Sequence, residues 1–235
     1  RLSPEQTVEL MDEAGVDRLM LAAWCRPEGW VIRNEEVAEF TKAFPERFVG
    51  VGTVDLSKPV AAVRELERAV QELGFKALRI VPWLWKLPPN HRWYYPLYLK
   101  CIELDIPFCT QVGHTGPLMP SETGRPVPYL DEVALDFPEL RIVAGHIGYP
   151  WTDEMIGLAW KHDNVHIDTS AYLPRYYPPA LLHFMQSYGQ DKVLFGSNFP
   201  QLSLSRCMQQ VGELGLPPEV LNRFLAGNAR RVFRL

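Results

Sequence analysis

The chain has 235 residues, of which 47% are hydrophobic, a size that can bury a substantial core within one domain. Its 24 basic and 28 acidic residues are mixed along the chain and give a formal net charge of −4, without the basic runs that follow phosphates. Nucleic acid is therefore not an expected partner, and we expect a single domain over residues 1–235.

Two further classes of protein are excluded by composition. No apolar stretch approaches the roughly 20 residues that span a bilayer, and the first residues lack a signal-peptide core. We therefore expect no membrane partner and a cytoplasmic location. The four cysteines (25, 101, 109 and 207) are far apart and have no CxxC spacing, which predicts reduced thiols in the core.

Helices and short apolar strands alternate along the whole chain. The first predicted helix covers 4–14, begins after Ser3 and ends at Gly15, and an apolar strand over 18–23 follows it. The later helices are predicted at 34–44, 59–73, 95–104, 129–137, 152–161 and 178–188, ahead of a helical tail. The later strands are predicted at 48–54, 77–81, 106–109, 140–144, 165–167 and 192–195.

Strands that are apolar on both faces and separated by helices indicate a parallel sheet. An open dinucleotide-binding sheet would carry a glycine-rich phosphate loop, and neither GxGxxG nor GxxxxGK[ST] occurs here. The pattern therefore favours a TIM-type (β/α)8 barrel. Seven strands are predicted where such a barrel has eight, so we expect the first strand to be missing from this chain.

Two histidines take the same position in successive units. His114 follows the strand predicted at 106–109, His146 follows the strand predicted at 140–144, and glycines flank both. Because the carboxyl ends of barrel strands meet at one mouth, the two imidazoles are expected to converge there. A hydrogen-bonded loop histidine is the alternative for either one alone.

The other histidines carry weaker signals. His162, His166 and His183 lie near strand starts or within a helix, which indicates structural roles. His91 lies in an aromatic loop with Trp83 after the strand predicted at 77–81, where substrate contact and simple packing are equally open.

Three polar residues interrupt or end apolar strands. Arg79 is a cation within a strand, so it needs an anionic partner, either a substrate carboxylate or an internal acid such as Asp168. The segment 166–172 ends a strand with an acid and hydroxyls that can orient a neighbouring imidazole. Asn198 follows the last strand, and an amide is a weak metal ligand that cannot act as a general base.

The order of these motifs resembles the amidohydrolase-related family, the branch with aminocarboxymuconate-semialdehyde decarboxylase, resorcylate-type decarboxylases and several lactone hydrolases. The resemblance covers essentially the whole chain. It is carried by the His114 loop and by the segments 137–146, 168–170, 194–200 and 227–235.

The resemblance implies roles for individual residues. In this family a first-strand HxH or ExH pair, a later histidine and a last-strand aspartate bind a divalent metal, commonly zinc or manganese. His114 matches the later metal ligand, and His146 matches the histidine that activates water or moves a proton, so we assign His146 as the general acid and base. Asn198 takes the last-strand catalytic position. Arg79, Trp83, His91 and Tyr149 are the expected substrate contacts.

Two departures from the family pattern bear on the metal. The first-strand pair is absent from this chain, and Asn198 stands where the family has aspartate. A complete four-ligand site cannot be assembled from these residues.

Three functions follow as expectations. The first is a metal-dependent hydrolase or decarboxylase of a small carboxylated cyclic or aromatic substrate. The second is a metal-independent lactone or ester hydrolase in which His146, Arg79 and Asn198 polarise the substrate. The third is a ligand-binding barrel without catalysis. A homodimer or a higher homo-oligomer stays open.

Overall fold

The computed structural model of the protein describes residues 2–235, which form a curved parallel sheet surrounded by helices. Ser3 caps the first helix, because its Oγ accepts the Gln6 amide hydrogen while the Gln6 side chain accepts from the Ser3 amide. The helices are α1 (Pro4–Glu13), α2 (Asn34–Ala43), α3 (Pro59–Gln71), α4 (Pro82–Trp85), α5 (Tyr95–Glu103), α6 (Tyr129–Asp136), α7 (Thr152–Lys161), α8 (Pro179–Gln186), α9 (Leu204–Gly212), α10 (Pro218–Asn222) and α11 (Asn228–Phe233).

The main sheet has seven strands, all parallel, in the order β1-β4-β5-β6-β7-β8-β9. They are β1 (Leu19–Ala22), β4 (Phe48–Gly52), β5 (Ala77–Ile80), β6 (Phe108–Gln111), β7 (Ile142–Gly145), β8 (Val165–Asp168) and β9 (Val193–Leu194). The sheet order follows the chain order, as helical crossovers in a barrel require, and the predicted TIM-type fold is confirmed.

The sheet is open between β1 and β9, which do not pair with each other within residues 2–235. All four residues of β1 are half-buried, whereas the four residues of β6 and of β7 are fully buried. β1 has a neighbouring strand on one side only, whereas β9, at the other edge, is fully buried.

Alternate side chains divide the sheet into two faces. Leu78, Phe108, Ile142, Ile167 and Val193 pack outward against the helices in the main core. Ala77, Cys109, Val143 and Leu194 point to the inner, concave face, where they pack against Val232 and Phe233 of α11. Period-two alternation therefore decides which residues of each strand can reach the mouth.

The core beneath β6 is aromatic. The Phe108 ring lies 4.8 Å from the Tyr98 ring and 6.2 Å from the Tyr94 ring, both edge-on. Both tyrosine hydroxyls donate to backbone carbonyls, of Pro89 for Tyr98 and of Leu87 for Tyr94. The cluster thus holds the segment between α4 and α5 against the sheet.

The structure differs from the predicted elements at several boundaries and in the short helix α4, and two differences bear on the site. A two-stranded antiparallel hairpin, β2 (Trp24–Arg26) with β3 (Gly29–Ile32), was not predicted, because the segment is short and its turn lacks the usual asparagine–glycine pair. The strand predicted at 106–109 lies at Phe108–Gln111, so Gln111 belongs to the sheet and His114 follows it closely.

Two simpler expectations concern composition. All four cysteines are unpaired and buried, as predicted. Within residues 2–235, no helix combines the length and the apolar character that crossing a bilayer requires.

Truncation of Phe108 should destabilise the fold. Phe108→Ala leaves a cavity among three rings, and we expect the free energy of unfolding to fall by about 3–5 kcal/mol in urea denaturation. Leu118→Ala is the control, because Leu118 is fully exposed and its loss should change stability by at most about 0.5 kcal/mol. Equal effects of the two variants would contradict this description of the core.

His166 should make the fold sensitive to acid. The side chain is buried on the concave face, and neither ring nitrogen has a hydrogen-bond partner within residues 2–235. Burial, with the charges of Lys192 and Arg231, lowers its pKa to about 3. An unfolded histidine has a pKa of about 6.5, so the unfolded chain binds the proton first and stability falls as the pH drops from about 6.5 towards about 3.

The variant His166→Leu tests this dependence. We expect its free energy of unfolding to change less between about pH 7 and about pH 5 than that of the wild type, because the group that takes up the proton is gone. His183→Leu, on the exposed face of α8, is the matched control and should keep the wild-type slope. A wild-type slope in His166→Leu would show that other groups carry the acid sensitivity.

Candidate active site

The carboxyl ends of the strands gather polar side chains at the mouth of the curved sheet. Arg79 on β5, Gln111 on β6 and Asp168 on β8 share the inward parity of the apolar residues Ala77, Cys109 and Leu194. His146 follows β7 directly. Sequence position alone therefore brings a cation, an amide, a carboxylate and an imidazole to one end of the sheet.

The loops after β6 and β7 are joined by backbone hydrogen bonds. The Val112 amide donates to the Gly145 carbonyl at 3.0 Å, and the His114 amide donates to the Tyr149 carbonyl at 2.8 Å. Gly113 has φ +93°, and a Cβ at this position would lie 2.5 Å from the Tyr149 carbonyl oxygen. Only glycine allows this approach, so Gly113 fixes the distance between the His114 and His146 loops.

His114 is held at its Nδ1 and exposed elsewhere. Nδ1 lies 3.3 Å from the Tyr149 carbonyl oxygen and 3.4 Å from the Tyr172 hydroxyl. The Tyr149 ring stands edge-on to the imidazole at 5.6 Å. Since a carbonyl can only accept, Nδ1 carries the hydrogen and Nε2 is left as the free lone pair.

His146 is set deeper in the mouth. Its φ of +71° and the φ of +51° at Ile147 place two non-glycine residues in the left-handed region, where strain is typical of functional sites. Burial, followed by the electrostatic effects of Arg79 and His114, lowers the pKa of His146 to about 3. The imidazole is therefore neutral near pH 7 and can accept a proton.

Arg79 has no anionic partner of its own. Its guanidinium lies 4.8 Å from the centre of the Trp24 ring on the hairpin, and within residues 2–235 it donates no hydrogen bond and forms no ion pair. Burial lowers the pKa of Arg79, while Cys109 and Asp168 act in the opposite direction. The five N–H donors of an enclosed guanidinium are thus available to a ligand.

Asp168 is not that partner because Ser170 engages it. The Ser170 amide donates to Oδ1 at 2.8 Å and its hydroxyl donates to Oδ2 at 3.0 Å. The pKa of Asp168 is raised, because the effect of burial exceeds that of the Ser170 hydrogen bonds and the Arg79 charge, which lower it. Glycines make room for the carboxylate: a Cβ on Gly196 would lie 2.1 Å from Oδ1, and one on Gly145 would lie 3.3 Å from Oδ2.

Three other predicted site residues, Asn198, Trp83 and Tyr149, lie in different surroundings. Asn198 lies beyond β9 with φ +60°, and its amide donates to the Gln201 side chain at 2.6 Å. Trp83 in α4 is buried, and its Nε1 has no hydrogen-bond partner within the described chain. Tyr149 is half-exposed at the rim beside His114.

His91 is not brought to the two histidines by any contact in the described chain. Its ring packs edge-on against Trp93 at 5.3 Å, and its Nδ1 accepts the Trp93 amide hydrogen at 3.4 Å. Its neighbour Asn90 bonds to Glu132 in the first turn of α6. These contacts favour loop packing, and substrate contact by His91 stays a prediction.

Sequence reasoning missed two residues of the mouth. Trp24 comes from the hairpin that was not predicted. Gln111 was placed in a loop after a strand that was predicted two residues too early. Tyr172 lies in the segment predicted to orient an imidazole, and its hydroxyl lies 3.4 Å from His114 Nδ1, although no local pattern identifies His114 as its partner.

The ligands for a metal ion are incomplete in the described chain. No group of three or more histidine, cysteine, aspartate or glutamate side chains stands close enough together within residues 2–235 to hold one. His114 offers one free nitrogen, Asp168 is bonded to Ser170, and Asn198, whose Nδ2 donates to Gln201, offers only a weak amide oxygen. These residues do not fit a four-ligand metal site, so no chemistry of this chain is derived through a metal below.

Gly196→Ala should destabilise the mouth. The added methyl group would collide with Asp168 and Ser170, and overpacking of this kind costs about 1–3 kcal/mol in the free energy of unfolding. Gly157→Ala is the matched control, because its Cβ on α7 meets open space and should be neutral or stabilising by up to about 1 kcal/mol. The free energies of unfolding of both variants are measured by urea denaturation. A wild-type value for Gly196→Ala would contradict the tight packing around Asp168.

Comparisons with known proteins identify relatives of this chain. Among curated relatives, the chain is 28% identical to 2-keto-4-carboxy-3-hexenedioate hydratase of Sphingobium sp. (strain NBRC 103272 / SYK-6), over 85% of this chain and 70% of the relative. It is 24% identical to gamma-resorcylate decarboxylase of Polaromonas sp. (strain JS666 / ATCC BAA-500), over 98% and 87% of the two chains.

Two solved structures share the fold. An uncharacterized TIM-barrel protein from Bordetella bronchiseptica superposes with a TM-score of 0.89 at 27% identity, covering 99% of this chain and 83% of that one. The 5-carboxyvanillate decarboxylase from Novosphingobium aromaticivorans, complexed with manganese and 4-hydroxy-3-methoxy-5-nitrobenzoic acid, has a TM-score of 0.78 at 20% identity, covering 100% and 81%.

The family model for Amidohydrolase matches residues 3–235, nearly the whole chain. This match confirms the predicted resemblance to the family. The chain belongs to the amidohydrolase family.

Proposed function

We propose that this amidohydrolase is a carbon–carbon lyase that decarboxylates a small carboxylated cyclic or aromatic substrate. The observation that carries the proposal is the enclosed, unpartnered guanidinium of Arg79 at the mouth, whose charge acts on the neutral imidazole of His146. A partly buried cation without an anionic partner is unfavourable, and a substrate carboxylate would supply that partner.

Substrate binding would engage several elements at once. The guanidinium of Arg79 would receive the carboxylate through paired N–H bonds, and the Trp24 ring already restricts its orientation. Trp83 and Tyr149 are the aromatic surfaces proposed to contact the rest of the substrate. Bringing a carboxylate to Arg79 also offsets the Arg79 charge, which lowers the pKa of His146.

Proton transfer is proposed for His146. In decarboxylation the bond between the ring carbon and the carboxylate breaks, its electron pair stays on the carbon, and carbon dioxide leaves. That carbon gains a proton, which His146 would deliver after taking it up from solvent or from a substrate hydroxyl. Asn198 is proposed to contribute only as a hydrogen-bonding group, since an amide neither accepts nor delivers the proton.

A divalent metal is supported by the manganese bound in the related decarboxylase. The metal proposed is zinc or manganese, and His114 is the residue of the mouth proposed to bind it. The described residues do not complete the site, so the steps above use the chain's own groups alone.

A hydratase is the second candidate, favoured by the 28% identity to 2-keto-4-carboxy-3-hexenedioate hydratase. That reaction would add a proton and a hydroxide across a carbon–carbon double bond. The same anchor at Arg79 and the same proton carrier at His146 would serve it, because its substrate is again a carboxylate.

The two candidates are separated by product. With gamma-resorcylate as substrate and Mn²⁺ supplied in the buffer, we expect the wild type to release carbon dioxide and His146→Asn to lose roughly 100-fold or more in kcat. His183→Asn, on an exposed helix face, should keep wild-type turnover. A conjugated keto-carboxylate tested in parallel would lose its ultraviolet absorbance if the protein is a hydratase.

Each outcome decides something. Full carbon dioxide release by His146→Asn would contradict the role of His146. Turnover of the conjugated acid alone would replace decarboxylation with hydration. If no turnover of either substrate occurs while carboxylates still bind, the protein is a binding barrel.

A further inference from the structure

Gln111 is a buried polar side chain that the proposed chemistry does not use. It is only 4% exposed, and its Oε1 has no hydrogen-bond partner within residues 2–235. A buried amide oxygen without a donor is costly, and natural proteins leave few such groups unpaired. The cost is recovered if a ligand donates to it.

The register of the sheet places Gln111 in the mouth. Gln111 pairs with Gly145 on β7, and Gly145 pairs with Asp168 on β8. The three positions form one row across the sheet, and all have the inward parity of Cys109 and Val143. Neighbouring strands lie about 4.8 Å apart, so Gln111 and Asp168 flank the middle strand at roughly twice that distance.

Gly145 leaves the middle of this row without a side chain. A Cβ there would lie 3.3 Å from the Asp168 carboxylate and 3.3 Å from the Thr110 carbonyl oxygen, so a larger residue would crowd this row. We refer to the space over Gly145, with an acceptor on each side, as the recess. Arg79 stands one pleat below, since it pairs with Cys109, and its guanidinium acts on Asp168.

The charges and hydrogen-bonding groups of this recess are complementary to one chemical pattern. Arg79 offers donors and a positive charge, whereas Gln111 Oε1 and Asp168 offer acceptors. A ligand carboxylate would bind to Arg79, and a ligand hydroxyl would donate its hydrogen to Gln111 or Asp168. A second carboxylate would be repelled by Asp168.

We propose that Gln111 is a specificity-determining residue that accepts a hydrogen bond from a hydroxyl group on the same ring as the carboxylate held by Arg79. The inference rests on the proposed function for the carboxylate anchor. It adds the hydroxyl requirement and assigns it to the recess between Gln111 and Asp168 above Gly145.

The test compares three ligands: benzoate, 2-hydroxybenzoate and 3-hydroxybenzoate. Dissociation constants are measured by calorimetry for the wild type and for Gln111→Met, which keeps the side-chain length and removes the acceptor. In the wild type we expect at least one hydroxybenzoate to bind about 3- to 10-fold more tightly than benzoate, the effect of one added hydrogen bond. In Gln111→Met the ratio should fall to about 1–2, with benzoate affinity unchanged.

Two control variants separate this inference from the proposed function. Gln210→Met changes another buried glutamine, which accepts the Arg175 amide hydrogen on α9, away from the mouth. It should keep the wild-type preference. Arg79→Met should weaken all three ligands about tenfold or more, because the charged anchor is lost.

The outcomes are distinguishable. A hydroxyl preference that survives in Gln111→Met overturns the role of Gln111 and leaves the anchor intact. Ligand affinities unchanged in Arg79→Met overturn the carboxylate anchor and with it the proposed function. If the wild type binds none of the three ligands, the subsite is overturned, and the turnover assay alone decides the proposed function.

Discussion

The mouth depends on one geometric constraint, the period-two alternation of side chains along parallel strands. Every second residue faces the concave side, so one strand can contribute apolar packing near its start and a polar group at its end. Cys109 and Gln111 on β6 follow this pattern, as do Ala77 and Arg79 on β5. A shift of one residue in register would bury these groups among the outer helices and leave the mouth without chemistry.

Glycines convert this alternation into usable space. Gly145 and Gly196 occupy inward or mouth positions where a methyl group would meet the Asp168 carboxylate. Gly113 makes room for backbone, because it lets the loop after β6 approach the Tyr149 carbonyl that contacts His114. The polar groups are thus positioned as much by missing side chains as by hydrogen bonds, and the mouth is tightly determined even though it lies on loops.

Much of the fold could be predicted from the sequence because it depends on repeated local patterns. Helix starts such as Ser3-Pro4 and short runs of apolar residues recur in every unit, and both are strong signals. The hairpin Trp24–Ile32 was missed because its pairing is brief and its turn lacks a recognisable sequence. Strand ends were placed with an error of two residues at β6, which was enough to leave Gln111 out of the sheet.

The candidate site was predictable only in outline. His114 and His146 could be found because flanking glycines and equal spacing mark them, and Arg79 because a cation stands out in an apolar strand. The engagement of Asp168 by Ser170, which leaves Arg79 without an anion, is a matter of side-chain direction that no spacing encodes. The contact between Tyr172 and His114 joins residues 58 positions apart and needs the folded loops.

The stacking of Trp24 on Arg79 joins the hairpin to the charge at the centre of the mouth. The hairpin otherwise behaves as an accessory loop, since β3 is exposed along its whole length. Such loops are the parts of a barrel that are exchanged most freely between proteins with different substrates. In this protein the hairpin cannot be replaced without consequence. A replacement that lacks the Trp24 indole would change the shape of the rim and would also free the Arg79 guanidinium to move. The hairpin and the Arg79 side chain are therefore coupled, and the need to keep Trp24 against the guanidinium limits which substitutions the hairpin can accept.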